Sequence, residues 1–192
     1  MIRGDTMGLL KMNLFNTKTY NDSQLALIDL AKEYGQDETI LKNVDFSIKQ
    51  MRCLILATKD GIDVTSFANP KINYYTMLLI VQCAKNNVDY SALLQLQLNQ
   101  TRASAIYYNL ARGLTVNGNE TEEDELFERF EIATGISKKE CQIPIYVEWS
   151  QGLSEILIDS RLIYYRNKFI NEGLSRKEAE NEAKRKIRFE FS

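Results

Sequence analysis

The sequence predicts an all-α protein: a short array of three helix-turn-helix repeats followed by a C-terminal helical bundle. Three observations carry that expectation. One pattern recurs at a spacing of 26 residues, in units 20–45, 46–71 and 72–97, and a fixed period of this size is the signature of a helical array. Inside each unit the apolar residues return at three- and four-residue intervals, as on one face of a helix. Each such run is bracketed by a capping type before it and a turn residue after it.

The columns of the repeat make this concrete. Tyr20, Phe46 and Ile72 open the units, and Asn21, Ser47 and Asn73 follow as N-caps. Gln24, Gln50 and Thr76 come three residues later, then Leu25, Met51 and Met77. A small residue lies inside the helix (Ala31, Ala57, Cys83), a turn residue follows (Gly35, Gly61, Asn87), and then an aspartate (Asp37, Asp63, Asp89). Ser47 with Gln50 at N3 is a capping box, and Gly61 supplies the left-handed residue that ends a helix. The aspartates invite comparison with a row of functional carboxylates, but as N-caps of three short helices their type, spacing and repetition follow together. Met51 and Met77 are expected as core fillers, and Cys53 and Cys83 as small buried hydrophobes.

Around the array, residues 1–19 are expected as a tail or capping helix, with Met7 as an alternative start, and residues 98–192 as the C-terminal helical region. A helix is expected over 95–112, with Ala103, Ile106, Tyr107 and Leu110 inward and Gly113 as its stop. An acidic helix follows Thr121, with Leu126, Phe127, Phe130 and Ala133 inward and Gly135 as its end. A longer helix is expected over 146–170, with Trp149, Leu153, Ile156, Leu157, Ile163, Tyr164 and Phe169 as its buried side. Ser175 and Glu178 form the capping box of a last helix, 176–189.

Composition narrows function mainly by exclusion. Hydrophobic content of 44%, charged content of 26% and a net charge of −2 give no global field toward nucleic acid or membrane. The 3 cysteines (Cys53, Cys83, Cys141) are unpaired in spacing, which argues against a disulfide framework or a zinc site and for a reducing cytoplasm. No apolar run approaches membrane-spanning length, and no signal peptide is evident. With 0 histidines the chain lacks the commonest general base and metal ligand. No P-loop, GxGxxG, CxxC pair, HExxH or GxSxG is present. The expectation is a non-enzyme with no catalytic residue, metal or cofactor.

Two charged faces remain as candidate sites. The acidic one comprises Glu122, Glu123, Asp124, Glu125 and Glu128, which would meet a basic partner groove or mimic phosphates; equally, acids in a first turn are what the helix dipole favours. The basic one comprises Arg176, Lys177, Lys184, Arg185, Lys186 and Arg188, with Tyr164, Tyr165 and Phe189 interleaved, which suits a phosphate backbone or stacked bases. Against that, Glu180 with Lys184 and Glu182 with Lys186 are spaced as salt bridges of an exposed helix.

The second unit, with Gln50-Met51, Gly61-Ile62-Asp63-Val64 and Phe67-Ala68-Asn69-Pro70, resembles the "QM…GLDV…YA-P" repeat. That repeat belongs to uncharacterised conjugative-element and phage proteins of Gram-positive gut bacteria. The resemblance covers residues 20–97; the third unit departs from it at Asn87, and the first has Gln36-Asp37-Glu38 in place of Ile-Asp-Val. It implies a mobile-element setting and no defined activity. In that setting the first expectation is an interaction protein that binds a host complex, such as a CRISPR nuclease, in the manner of an anti-CRISPR inhibitor. The second is a DNA-binding accessory protein using the C-terminal helices, and the third a structural adaptor.

Overall fold

The structure is a computed structural model, which describes residues 18–96, 98–116, 123–135 and 145–190. Among these residues every regular element is helical. The expected tail falls almost wholly outside them.

Four helices share one plan: α1 (Asp22–Glu33), α2 (Ile48–Lys59), α3 (Tyr74–Lys85) and α4 (Gln100–Ala111), each of 12 residues. Their starts are 26 residues apart, so the spacing continues into α4, which is shorter than the expected 95–112. The N-caps are Asn21, Ser47, Asn73 and Asn99, each accepting from the backbone N–H at N3. The helices close alike, with a residue in the left-handed region and a bond back across the turn. In α2, Gly61 has φ 77° and the Ile62 N–H donates to Ala57 O at 2.9 Å. Asn87 fills the same place after α3 at φ 53°, the one non-glycine residue with positive φ among those described.

After the closing turn, the three aspartates hold the backbone alike, but only Asp37 is the N-cap of a helix. Asp37, Asp63 and Asp89 each accept from the N–H two residues on, at 2.9 Å. Short 3-10 helices follow the first and third, Glu38–Leu41 and Ser91–Leu94, and the second of these has Tyr90 at its N-cap with no side-chain cap bond. After Asp63 the chain makes a turn instead, in which Phe67 N–H and Ala68 N–H both donate to Val64 O.

Consecutive array helices pack on one another, and α6 (Ile145–Asn171) lies across α1, α2 and α3. This explains why α2 and α3 are buried almost all round: Met51, Cys53, Leu54, Ile55, Leu56 and Ala57 are all inside. Burying side chains of this size contributes about 1.5–3 kcal/mol each before entropy is counted. Leu25 shares a column with Met51 and Met77 but is exposed, because α1 is flanked by an array helix on one side only.

A polar link joins neighbouring units. The buried Gln24 amide donates to Val44 O and Phe46 O, at 3.2 and 2.8 Å. One unit later Gln50 does the same to Pro70 O and Ile72 O, at 3.0 and 2.7 Å. Thr76 is too short, and the Asn73 amide reaches Leu98 O instead, at 2.5 Å. At the end of the stack, buried Asn109 donates to Leu126 O at 2.9 Å and ties α4 to α5 (Glu123–Thr134).

Candidate functional site

The last two helices form a hairpin. Gly173, at φ 99°, lets the chain leave α6, and Ser175 with Glu178 caps α7 (Arg176–Glu190). Ala179, Ala183 and Ile187 are the buried stripe of α7. Two of the three are alanines, which allow close approach to α6. The other side of α6 is pinned to the array: Tyr34 donates to Asp159 at 2.5 Å, Arg166 pairs with Glu33 at 2.6 Å, and Asn167 donates to Asp29 at 3.2 Å.

Between α6 and α7 runs an open groove of about 490 Å³, lined by Phe169, Glu182, Arg185, Lys186 and Phe189. Phe189 is 84% exposed. Leaving a phenyl ring in water forgoes about 2 kcal/mol of burial. Along α6 the rings of Tyr165 and Phe169 stack, centroids 6.3 Å apart and 24° between planes, and Tyr164 meets Tyr165 edge-on at 5.2 Å. The Tyr165 hydroxyl donates to Glu190, which anchors the end of α7 and raises the Tyr165 pKa. Flat rings flanked by cations form a surface able to stack bases and hold phosphates.

Of the six cations predicted for this face, the structure brings two into the groove, Arg185 and Lys186. Lys177, Lys184 and Arg188 recur at i, i+7 and i+11 and share a different, exposed face. Arg176 is exposed in the first turn. The expected Glu180–Lys184 bridge is present at 2.6 Å, whereas Glu182 pairs with Arg185 at 2.8 Å and not with Lys186. A rotamer that reaches i+3 satisfies Glu182, and Lys186 keeps its charge for the groove. Phe169, expected in the core, is half-buried and forms a groove wall, since the small stripe of α7 does not extend over it.

On the acidic side, Glu122 lies outside the described residues; Glu123 and Asp124 open α5, and Glu125 and Glu128 are exposed on it. Leu126 is the buried anchor of that helix. Because α5 packs on α4 and α7 packs on α6, the two candidate faces sit on different supports. They do not form one site.

A second cleft, about 410 Å³, lies between α1 and α6 beside Asp22, Leu25, Asp29 and Tyr164. Of its polar groups, Asn167 is engaged with Asp29 and Lys168 with Glu172, at 4.0 Å. Cys53 and Cys83 are buried, and burial pushes both thiols up to about 12, far from a nucleophile's range. Cys141 lies outside the described residues. No group of three or more Cys, Asp or Glu side chains among those described is placed to hold a metal, and no described helix is long and apolar enough to cross a membrane.

Compared with known proteins, the chain matches no family model, no curated protein and no solved structure.

One feature of the site escaped the sequence: the bond from Tyr165 on α6 to Glu190 at the end of α7, which no local pattern around either residue signals.

Proposed function

We propose that the chain is a non-catalytic binding protein of a mobile element, and that its α6–α7 hairpin grips a nucleic-acid strand. The observation that carries this is the groove in which exposed Phe189 stands with Phe169, Arg185 and Lys186. Stacking on such rings is worth about 1–3 kcal/mol per base, and phosphate contacts add a salt-dependent term. The strand is either free or carried by a host nuclease complex of the CRISPR kind, in which case binding would act as inhibition. The chemistry recognised is the same in both.

The test is a titration of the full chain against single-stranded and duplex DNA at low and moderate salt. It is repeated with Lys184, Arg185, Lys186 and Arg188 changed to Ala and, separately, with Phe189→Ala. Binding should weaken steeply with salt, the quadruple variant should lose about tenfold or more, and Phe189→Ala should weaken single strands more than duplex. A complex captured from a CRISPR-bearing host, sensitive to nuclease treatment and to the same variants, identifies the carried strand. Tight protein capture that survives nuclease and these variants, and is lost when Glu125 and Glu128 are changed to Gln, overturns the nucleic-acid reading in favour of an acidic docking face.

A further inference from the structure

A stack of repeats has two ends, and α1 forms one of them. On α2 the residues Ile48, Met51 and Ile55 share a face, at i, i+3 and i+7, and on α3 Tyr74, Met77 and Val81 share the same one. Met51, Ile55, Met77 and Val81 are all buried. Their counterparts on α1 are Asp22, Leu25 and Asp29, and here the face is open, with Leu25 45% exposed. Consecutive helices pack on one another, and α1 has an array helix on one side only. The open face is therefore the one that α2 and α3 turn toward the unit before them. It forms a wall of the cleft of about 410 Å³, together with Tyr164 and Asn167 of α6. Stacked repeats need such an end covered.

The chain just upstream is placed to cover it. Lys18 already keeps the register of the array: it lines one shallow surface cleft with Asn43, Asp45, Asn69 and Pro70, from the linkers that precede α2 and α3, and it pairs with Asp45 at 2.5 Å. Carried one period further upstream, residues 12–17 stand in the columns of 38–43, 64–69 and 90–95. Phe15 then shares a column with Leu41, Phe67 and Leu93, all at most 2% exposed. In the last of those segments, Ser91–Leu94 packs both on α3 before it and on α4 after it. The helix that follows Phe15 is α1. Leu9, Leu10, Met12 and Leu14 add apolar surface, and Arg3 and Lys11 against Asp5 suit a cleft with Asp22, Asp29 and Glu172 against Lys168. Nine residues separate Leu9 from Lys18, enough chain for about 30 Å, whereas Asp22 to Asp29 spans only about 10 Å of helix. We infer that residues 9–15, which lie outside the described residues, dock on the open face of α1, with Phe15 against Leu25, and close this end of the array. Docking there is independent of the groove between α6 and α7.

Two measurements on the full chain test this. In the first, p-benzoylphenylalanine replaces Phe15, the protein is irradiated, and the crosslinks are mapped by mass spectrometry. Expected are links within one chain to residues 22–29 of α1 or to the facing 164–172 of α6. The second is a double-mutant cycle of Phe15→Ser and Leu25→Ser, read by urea denaturation. Leu25 is exposed on α1, so neither substitution opens the described core. Phe15→Ser should lower the folding equilibrium constant about tenfold in the parent and hardly at all once Leu25 is serine, since the two side chains then have no contact left to lose. Crosslinks confined to other parts of the chain, or effects of the two substitutions that simply add, overturn the inference. Crosslinks between two chains that grow with protein concentration also overturn it, and give the face to a second copy.

Discussion

The Gln50 side-chain amide donates to the Ile72 carbonyl at 2.7 Å, reaching from the first turn of one array helix to the opening residue of the next unit. The same amide nitrogen donates to Pro70 O, while the Gln50 side-chain Oε1 accepts from the Ser47 N–H at 2.8 Å. One side chain thus caps its own helix and fixes the position of its neighbour.

Replacing Gln50 with Ala should therefore cost about 2–3 kcal/mol, since it removes a cap and orphans buried carbonyls. Urea denaturation monitored by circular dichroism measures this, and a loss below about 0.5 kcal/mol would contradict the linking role.

Thr76 occupies the same column at 1% exposure, with its hydroxyl unpartnered in the core. Thr76→Val keeps the shape and deletes the orphan, so stability should rise by about 1 kcal/mol. A destabilised variant would show that the hydroxyl has a partner.

Asn87 holds φ 53° where the other array helices use glycine. Asn87→Gly should leave the fold intact and relieve about 0.5–1 kcal/mol of left-handed strain, partly offset by a freer unfolded chain. A comparison of thermal midpoints, with Gly61→Ala expected to move the opposite way, checks the sign.

Alkaline pH should destabilise the protein. Burial raises Cys53 and Cys83 to about 12 from the ordinary 9.0, and burial followed by the bond to Asp159 raises Tyr34 above its ordinary 10.0. The unfolded chain then releases these protons first, so the stabilisation is whole below about pH 9 and declines above it, by at most about 1.4 kcal/mol per pH unit per group. Urea midpoints at pH 8, 9 and 10 test this, with Tyr34→Phe flattening the decline above 10. Native Cys53 and Cys83 should also resist alkylation at pH 8, as peptide mapping would show.

Much of the array was legible because its signals are local. Asn21, Ser47 and Asn73 cap as their types require, and the turn residues close the helices as expected. The start of α4 was less legible because 95–99 is an unbroken polar-apolar alternation, although Leu98 and Asn99 fall in the repeat's own columns. Asp63 shows the limit of a local rule: its carboxylate accepts from the Thr65 N–H as a cap would, yet the chain after it makes a turn and no helix.

The candidate site was legible in composition and not in arrangement. Basic and aromatic types in 161–192 pointed to α6 and α7, yet which two cations enter the groove depends on how Ala179 and Ala183 seat one helix on the other. Tyr165 and Glu190 stand 25 residues apart, and only the turn that folds α7 back on α6 brings them together.

The row of amides running from each unit to the next gives the stack a direction. Gln24 needs the carbonyls of the second unit and Gln50 those of the third, so a chain emerging from the ribosome leaves each helix with unanswered donors until the following unit arrives. Thr76 ends that dependency. A glutamine at N3 reads as "another unit follows in this register", and the threonine marks where the relay passes to Asn73 and the stack turns toward its closing helices.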